Sequence, residues 1–140
     1  MNYRFFNKLP KEARAIREQV FVEEQGFQNE FDDIDARSWH LVIYDYDVPV
    51  GCARMYDEDG VVIFGRIAVV KEKRHKHFGS YILHELEKKA KELGYLEAML
   101  SAQVNAKEFY EKNGYIAEGE EYLDEFCPHI HMKKILYKLK

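Results

Sequence analysis

The chain has 140 residues, a length that suits one compact domain, and it is read as a single domain over 1–140. Apolar residues make up 46% and charged residues 33%, a mixture that buries a core and excludes a disordered chain. A net charge of -4 argues against nucleic-acid binding as the main task, and no apolar run approaches the ~20 residues that span a bilayer. Two cysteines are too few for a disulfide framework, so a cytoplasmic protein is expected.

In chain order, residues 11–25 predict a helix. Ala13, Ile16, Val20 and either Phe21 or Glu24 line one face, and Gly26 ends it. Residues 26–37 mix Phe27, Phe31 and Ile34 with carboxylates and show no period. Residues 39–44, 48–56 and 61–70 read as extended, with turns at 45–47 and 57–60. Asp59-Gly60 is a hairpin signal, and the whole reads as an antiparallel meander.

A second helix is predicted over about 79–93, with Ile82, Leu83, Leu86, Ala90 and Leu93 as its stripe and Gly94 as its stop. A short strand at 96–101 precedes a helix over 106–113. For that helix Asn105 and Glu108 suggest a capping box, and Asn113-Gly114 a left-handed ending. Residues 115–117 and 129–137 read as the last strands.

Lys71, Lys73, Arg74 and Lys76 crowd the segment between a strand and the 79–93 helix. A helix start exposes unpaired N–H groups and the positive end of its dipole, and a glycine lets a phosphate approach the backbone. Lys73, Arg74 and Lys76 would add charge outside such a cradle. An ordinary strand-to-helix turn with solvated lysines fits the same residues, and the loop alone does not separate the two. It carries neither the Gly-Lys-Ser/Thr of a Walker loop nor the three glycines of a dinucleotide fingerprint.

From Arg66 to Leu83 the chain resembles the central Arg/Gln-x-x-Gly-x-Gly/Ala motif of the GNAT N-acetyltransferases. Arg74 and Gly79 match it, and His77 stands where a glycine is usual. From Ala102 to Tyr115 it is similar to the family's later Asn-x-x-Ala-x-x-x-Tyr-x-x-x-Gly-Phe segment, with Gln103 for the Asn and Tyr115 for the Phe. Residues 16–26, 30–35, 102–103 and 129–132 resemble the ElaA/YjcF-like branch.

The resemblance implies an α/β (α+β) fold with a mixed, mostly antiparallel sheet flanked by helices and opened into a V-shaped slot. It implies acetyl-CoA as co-substrate and an amine acceptor, either a small molecule or a peptide. Backbone groups of Ile67, Ala68 and Val69 would hold pantetheine, a backbone N–H near Val69 polarising the thioester carbonyl. The segment Arg74, His75, Lys76, His77, Phe78, Gly79 and Ser80 would hold the pyrophosphate, and Gln103 is counted with the cofactor-binding residues. Tyr110 would protonate the departing thiolate.

Several assignments stay open. The general base is unassigned. Glu23, Glu24, Glu30, Asp32, Asp33 and Asp35 either attract a cationic amine or form solvated surface. His129 and His131 share a strand face and either titrate or pack. Arg54 and Arg66 share a face if the hairpin loop has three residues and oppose each other if it has two or four. On one face they grip a substrate carboxylate or brace the acidic loop. Cys127, His129, His131 and His40 offer metal-ligand chemistry without a strong zinc spacing, and no metal is assigned. A non-catalytic CoA-binding module and an acyl-homoserine lactone synthase are the remaining alternatives. The aromatic load is compatible with a homodimer.

Overall fold

The structure is a computed structural model and describes residues 1–137. Its seven strands form one sheet in the order β1-β2-β3-β4-β5-β7-β6. They are β1 (Asn2–Phe6), β2 (Trp39–Asp45), β3 (Val48–Glu58), β4 (Val61–Val69), β5 (Glu97–Gln103), β6 (Ile116–Asp124) and β7 (Cys127–Ile135). Every neighbouring pair is antiparallel except β4–β5, so the sheet is mixed and mostly antiparallel, as expected.

The meander is present. Glu58 pairs with Val61, leaving Asp59 and Gly60 as a two-residue turn with φ of 53° and 87°. Both angles lie in the left-handed region, the geometry whose twist matches the flanking strands.

The parallel pair is short. β4 meets β5 only at Val62–Ala98, Ile63–Met99 and Phe64–Leu100. Beyond that point β4 continues against β3, and β5 against β7. The two strands therefore part, and a split opens in the middle of the sheet.

Helices cover both faces. α2 (Phe78–Glu92) lays Phe78, Ile82, Leu83, Leu86 and Ala90 on Leu41, Ile43, Met55, Phe64, Leu100 and Met132. α3 (Lys107–Lys112) adds Tyr110 to the same core. On the other face, Ala13 and Ile16 of α1 (Lys11–Arg17) pack over Val42, Cys52 and Ala68. The predicted 11–25 helix changes character at Glu18, where Glu18–Glu24 continues as a π-helix. The wider turn faces Val20 and Phe21 together to the sheet and leaves Glu24 outside, which settles the open position in the stripe.

Two local expectations are corrected. Asn105 does not cap: Val104–Ala106 forms a 3-10 turn, and α3 begins at Lys107 with Ala106 at its N-cap and no side-chain cap. The capping box lies at Asp32 and Asp35, around the 3-10 helix Asp33–Arg37, inside the stretch that shows no period. The left-handed ending holds: Gly114 has φ 94°, and Tyr115 N–H reaches Tyr110 C=O at 3.0 Å. β1 and most of β6 have no counterpart in the sequence reading.

Candidate active site

A cleft of about 1590 Å³ occupies the split and runs from the π-helix to the first turn of α2. Val70 N–H bonds back to Val50 C=O at 2.9 Å, so alternation along the strand turns the N–H and C=O of Val69 into the split. Arg74 Nε donates to that C=O at 3.0 Å and leaves the N–H free. Ile67 lies two residues earlier and shares this orientation, whereas the backbone of Ala68 pairs with Cys52. Ala68 lines the cleft from its buried side chain.

The turn into α2 is strained in a useful way. His75 has φ 64° and His77, the N-cap, has φ 66° and ψ 13°. Histidine tolerates this left-handed region better than most residues, so His77 reproduces the turn a glycine would make. No side chain caps α2, and the N–H groups of Phe78, Gly79 and Ser80 take no acceptor among the described residues. A Cβ on Gly79 would stand 3.0 Å from Phe109 Cζ, so a side chain there crowds the floor of the loop. These unsatisfied amides over a bare Cα fit a diphosphate.

Two of the flanking cations already have partners within the chain. Arg74 grips Glu24 through two bonds of 2.5 and 2.8 Å, and that hydrogen bonding holds the Glu24 carboxyl below its usual range. Lys73 pairs with Asp45 at 3.1 Å. Lys76 is exposed and does not line the cleft; His75, His77, Phe78, Gly79 and Ser80 do.

Tyr110 lines the cleft from the α3 side, 9% exposed, with Phe109 and Tyr115 edge-on at 5.1 and 6.0 Å. Its hydroxyl has no partner among the described residues, and burial pushes its pKa up. It stays protonated and is a donor. Gln103 lines the opposite wall and donates to Gln25 Oε1 at 2.8 Å.

Glu30, Asp32 and Asp35 of the acidic stretch are structural. Arg17, 1% exposed, reaches Glu30 at 2.9 Å and Asp35 at 2.8 Å. Arg54 reaches Asp32 at 2.7 Å and Asp35 at 2.9 Å, and Arg66 reaches Glu30 at 2.9 Å. Three guanidinium groups thus balance three carboxylates. Burial raises the Asp35 carboxyl, but hydrogen bonds and charge from Arg17 and Arg54 outweigh it and hold the group at about 2.

Arg54 and Arg66 meet here despite a two-residue hairpin loop. A bulge between Cys52 and Arg54, opposite Gly65 to Ala68, inserts the extra residue that turns Arg66 round. Arg66 itself takes φ 51°. Of the two uses left open, the arginines brace the loop.

His129 and His131 separate in role. His129 is 7% exposed, lines the cleft and holds Nδ1 2.9 Å from Cys127 C=O. His131 is exposed and stacks on Tyr122 with centroids 4.8 Å apart, and Ser101 Oγ meets the Tyr122 hydroxyl. His40 is buried on β2 against Asp35 C=O at 2.9 Å. Among the described residues no three His, Cys, Asp or Glu side chains gather as metal ligands.

One contact had no signal in the sequence. The Glu125 carboxylate, in the β6–β7 turn, accepts the N–H groups of Gln28 at 3.0 Å and Asn29 at 3.1 Å. It joins segments 97 residues apart across one end of the cleft.

A sheet split at its one parallel edge, beside an unsatisfied helix start, is the architecture of an acyltransferase that takes a coenzyme A thioester. A model of the acetyltransferase (GNAT) domain matches residues 9–136, and the chain belongs to this family of acyl-CoA-dependent acyltransferases. The uncharacterized N-acetyltransferase YjcF of Bacillus subtilis (strain 168) is 39% identical over 127 residues, 89% of this chain and 91% of that one. Escherichia coli ElaA superposes with a TM-score of 0.86 at 24% identity, covering 96% of this chain and 99% of its own. A Bacillus subtilis acetyltransferase in complex with CoA superposes with a TM-score of 0.78 at 15% identity, covering 97% and 99%. At those identities the two structural likenesses are of fold, and the sequence likeness to YjcF carries the ElaA/YjcF-like assignment.

Proposed function

We propose that this enzyme transfers an acetyl group from acetyl-CoA to a primary amine of a small molecule or peptide. The observation that carries the reading is the split between β4 and β5 ending on the free amides of Phe78, Gly79 and Ser80. Its fit to a thioester carrier is supported by the CoA complex of the fold neighbour.

In this reading those amides hold the diphosphate, with His75 and His77 shaping the turn. The open edge of β4 at Ile67 and Val69 pairs with pantetheine, and Ala68 and Gln103 form the walls. Bound acetyl-CoA supplies an activated acyl carbon. The Val69 N–H donates a hydrogen bond where negative charge develops, the oxyanion-hole role. Tyr110 supplies a proton to the departing sulfur: burial keeps its hydroxyl protonated, and no other group among the described residues engages it. Among the described residues no helix is long and apolar enough to cross a membrane, and a cytoplasmic location accompanies the proposal.

Calorimetric titration with CoA tests the binding half: saturable uptake is expected, and none overturns it. For the chemical half, Tyr110→Phe is expected to lower kcat about 100-fold while CoA affinity stays within a factor of two. Unchanged kcat removes Tyr110 from the mechanism.

A further inference from the structure

We propose that His129 is the general base that takes a proton from the acceptor amine, working from the face of the sheet opposite Tyr110. This rests on the acetyl-transfer reading above.

The two faces follow from strand alternation. Leu100 and Ala102 of β5, and Ile130 and Met132 of β7, point into the core that contains Tyr110. Ser101 and Gln103 point the other way. His129 pairs with Gln103 and shares that side, where its ring lies edge-on to Phe27 at 6.4 Å and stacked on Tyr122 at 6.1 Å. Phe27 belongs to the apolar cluster under α1. The split joins the two faces, so a group held in it is open to Tyr110 from one side and His129 from the other. The attacking nitrogen and the departing sulfur need proton acceptor and donor at different positions, and this arrangement supplies them.

The tautomer follows from one contact. A carbonyl only accepts, so the 2.9 Å contact with Cys127 C=O places a hydrogen on His129 Nδ1. Neutral imidazole then carries a bare lone pair at Nε2, which has no partner among the described residues.

Most other titratable groups lining the cleft are committed. Glu24 is held by Arg74, Glu30 by Arg17 and Arg66, and Asp32 by Arg54. Glu125 accepts two backbone N–H groups, and Lys73 is paired with Asp45. Burial pushes the Cys127 thiol up. His75 and His77 sit on the anion loop, and Lys112 is exposed on α3. Asp124, exposed at the end of β6, is the carboxylate left over and serves as the control.

The protons balance as follows. An alkylammonium gives one proton to His129 Nε2, and its freed lone pair forms the C–N bond. The C–S bond breaks with its electron pair on sulfur, which takes the Tyr110 proton. The second proton of the nitrogen returns to Tyr110 through water, and His129 releases its own to solvent. Ammonium and thioester become amide, thiol and one proton.

His129→Asn keeps an N–H donor near the place of Nδ1 and deletes the Nε2 lone pair, so the fold contact survives. CoA release is measured with alkylamines, which are protonated at neutral pH, and with hydroxylamine, which is already neutral. The variant is expected to lose about 100-fold in kcat with alkylamines and only a few-fold with hydroxylamine, and Asp124→Asn to match the wild type with both. Equal losses with both nucleophiles, or none, overturn the proposal, as does a loss carried by Asp124→Asn instead. Independently of activity, nitrogen-15 histidine spectra of the wild-type protein should show the Nδ1–H tautomer of His129, and the Nε2–H tautomer overturns it. Calorimetry with CoA should give the same affinity for His129→Asn and wild type. Uptake by neither removes the acetyl-transfer reading and the base with it, whereas intact uptake with no selective loss removes the base alone.

Discussion

Two irregular loops flank the cleft, and both are crowded with charge, yet they use it in opposite ways. In the segment before α2, Arg74 and Lys73 are spent on Glu24 and Asp45, and the backbone amides of Phe78 to Ser80 stay unsatisfied. In the segment before β2, the side chains are the structure: Glu30, Asp32 and Asp35 close on Arg17, Arg54 and Arg66. A run of like charges therefore does not mark a ligand site. Unsatisfied backbone leaves a demand open that a ligand can meet.

The sharpest way to break this comparison is to remove a brace. Arg17→Leu leaves Glu30 and Asp35 short of a partner in a buried setting and is expected to cost about 3–5 kcal/mol in urea denaturation. A loss below 1 kcal/mol shows that the loop is not held by its charges. The pH dependence is the next effect. Asp35 sits at about 2 in the folded chain against an ordinary value of 3.8, so its contribution is complete above the unfolded value and fades as pH falls toward 2. Roughly 2.5 kcal/mol is expected to vanish over that window, and Asp35→Asn should flatten it.

On the other loop, Gly79→Val fills the space beside Phe109 Cζ. Weakening of CoA binding by about tenfold is expected, or ~1.4 kcal/mol, measured below the denaturation midpoint of the variant. Full affinity in that variant places the diphosphate elsewhere. Lys76→Ala should do least, changing CoA affinity less than twofold, since that side chain is exposed and off the cleft. A larger effect would return charge to the account.

What was legible beforehand follows the range of each signal. Asp59-Gly60, Gly26, Gly94 and Gly114 announce turns and stops through their own backbone, and all four mark real boundaries. The stripe of α2 and the loop before it are equally local, although Leu93, expected in that stripe, lies just past the helix and is exposed. β1 is five residues at a sheet edge and β6 is an acidic, mostly exposed strand held by β7, so neither shows the apolar alternation that betrays a half-buried strand. Asn105 has capping chemistry, but the 3-10 turn at Val104–Ala106 moves the helix start past it.

By itself the amino-acid order determined the elements with local periodicity, the glycine endings and the strand–loop–helix that opens on free amides, because each depends on neighbours a few residues away. Tertiary structure alone decided that a bulge at Arg66 overrides the hairpin parity, that Arg17 joins Glu30 to Asp35, and that Glu125 reaches Gln28 across 97 residues. Those outcomes depend on which side chains meet after the strands pair. One inserted residue is enough to turn a side chain from one face of a sheet to the other, and no local pattern records it.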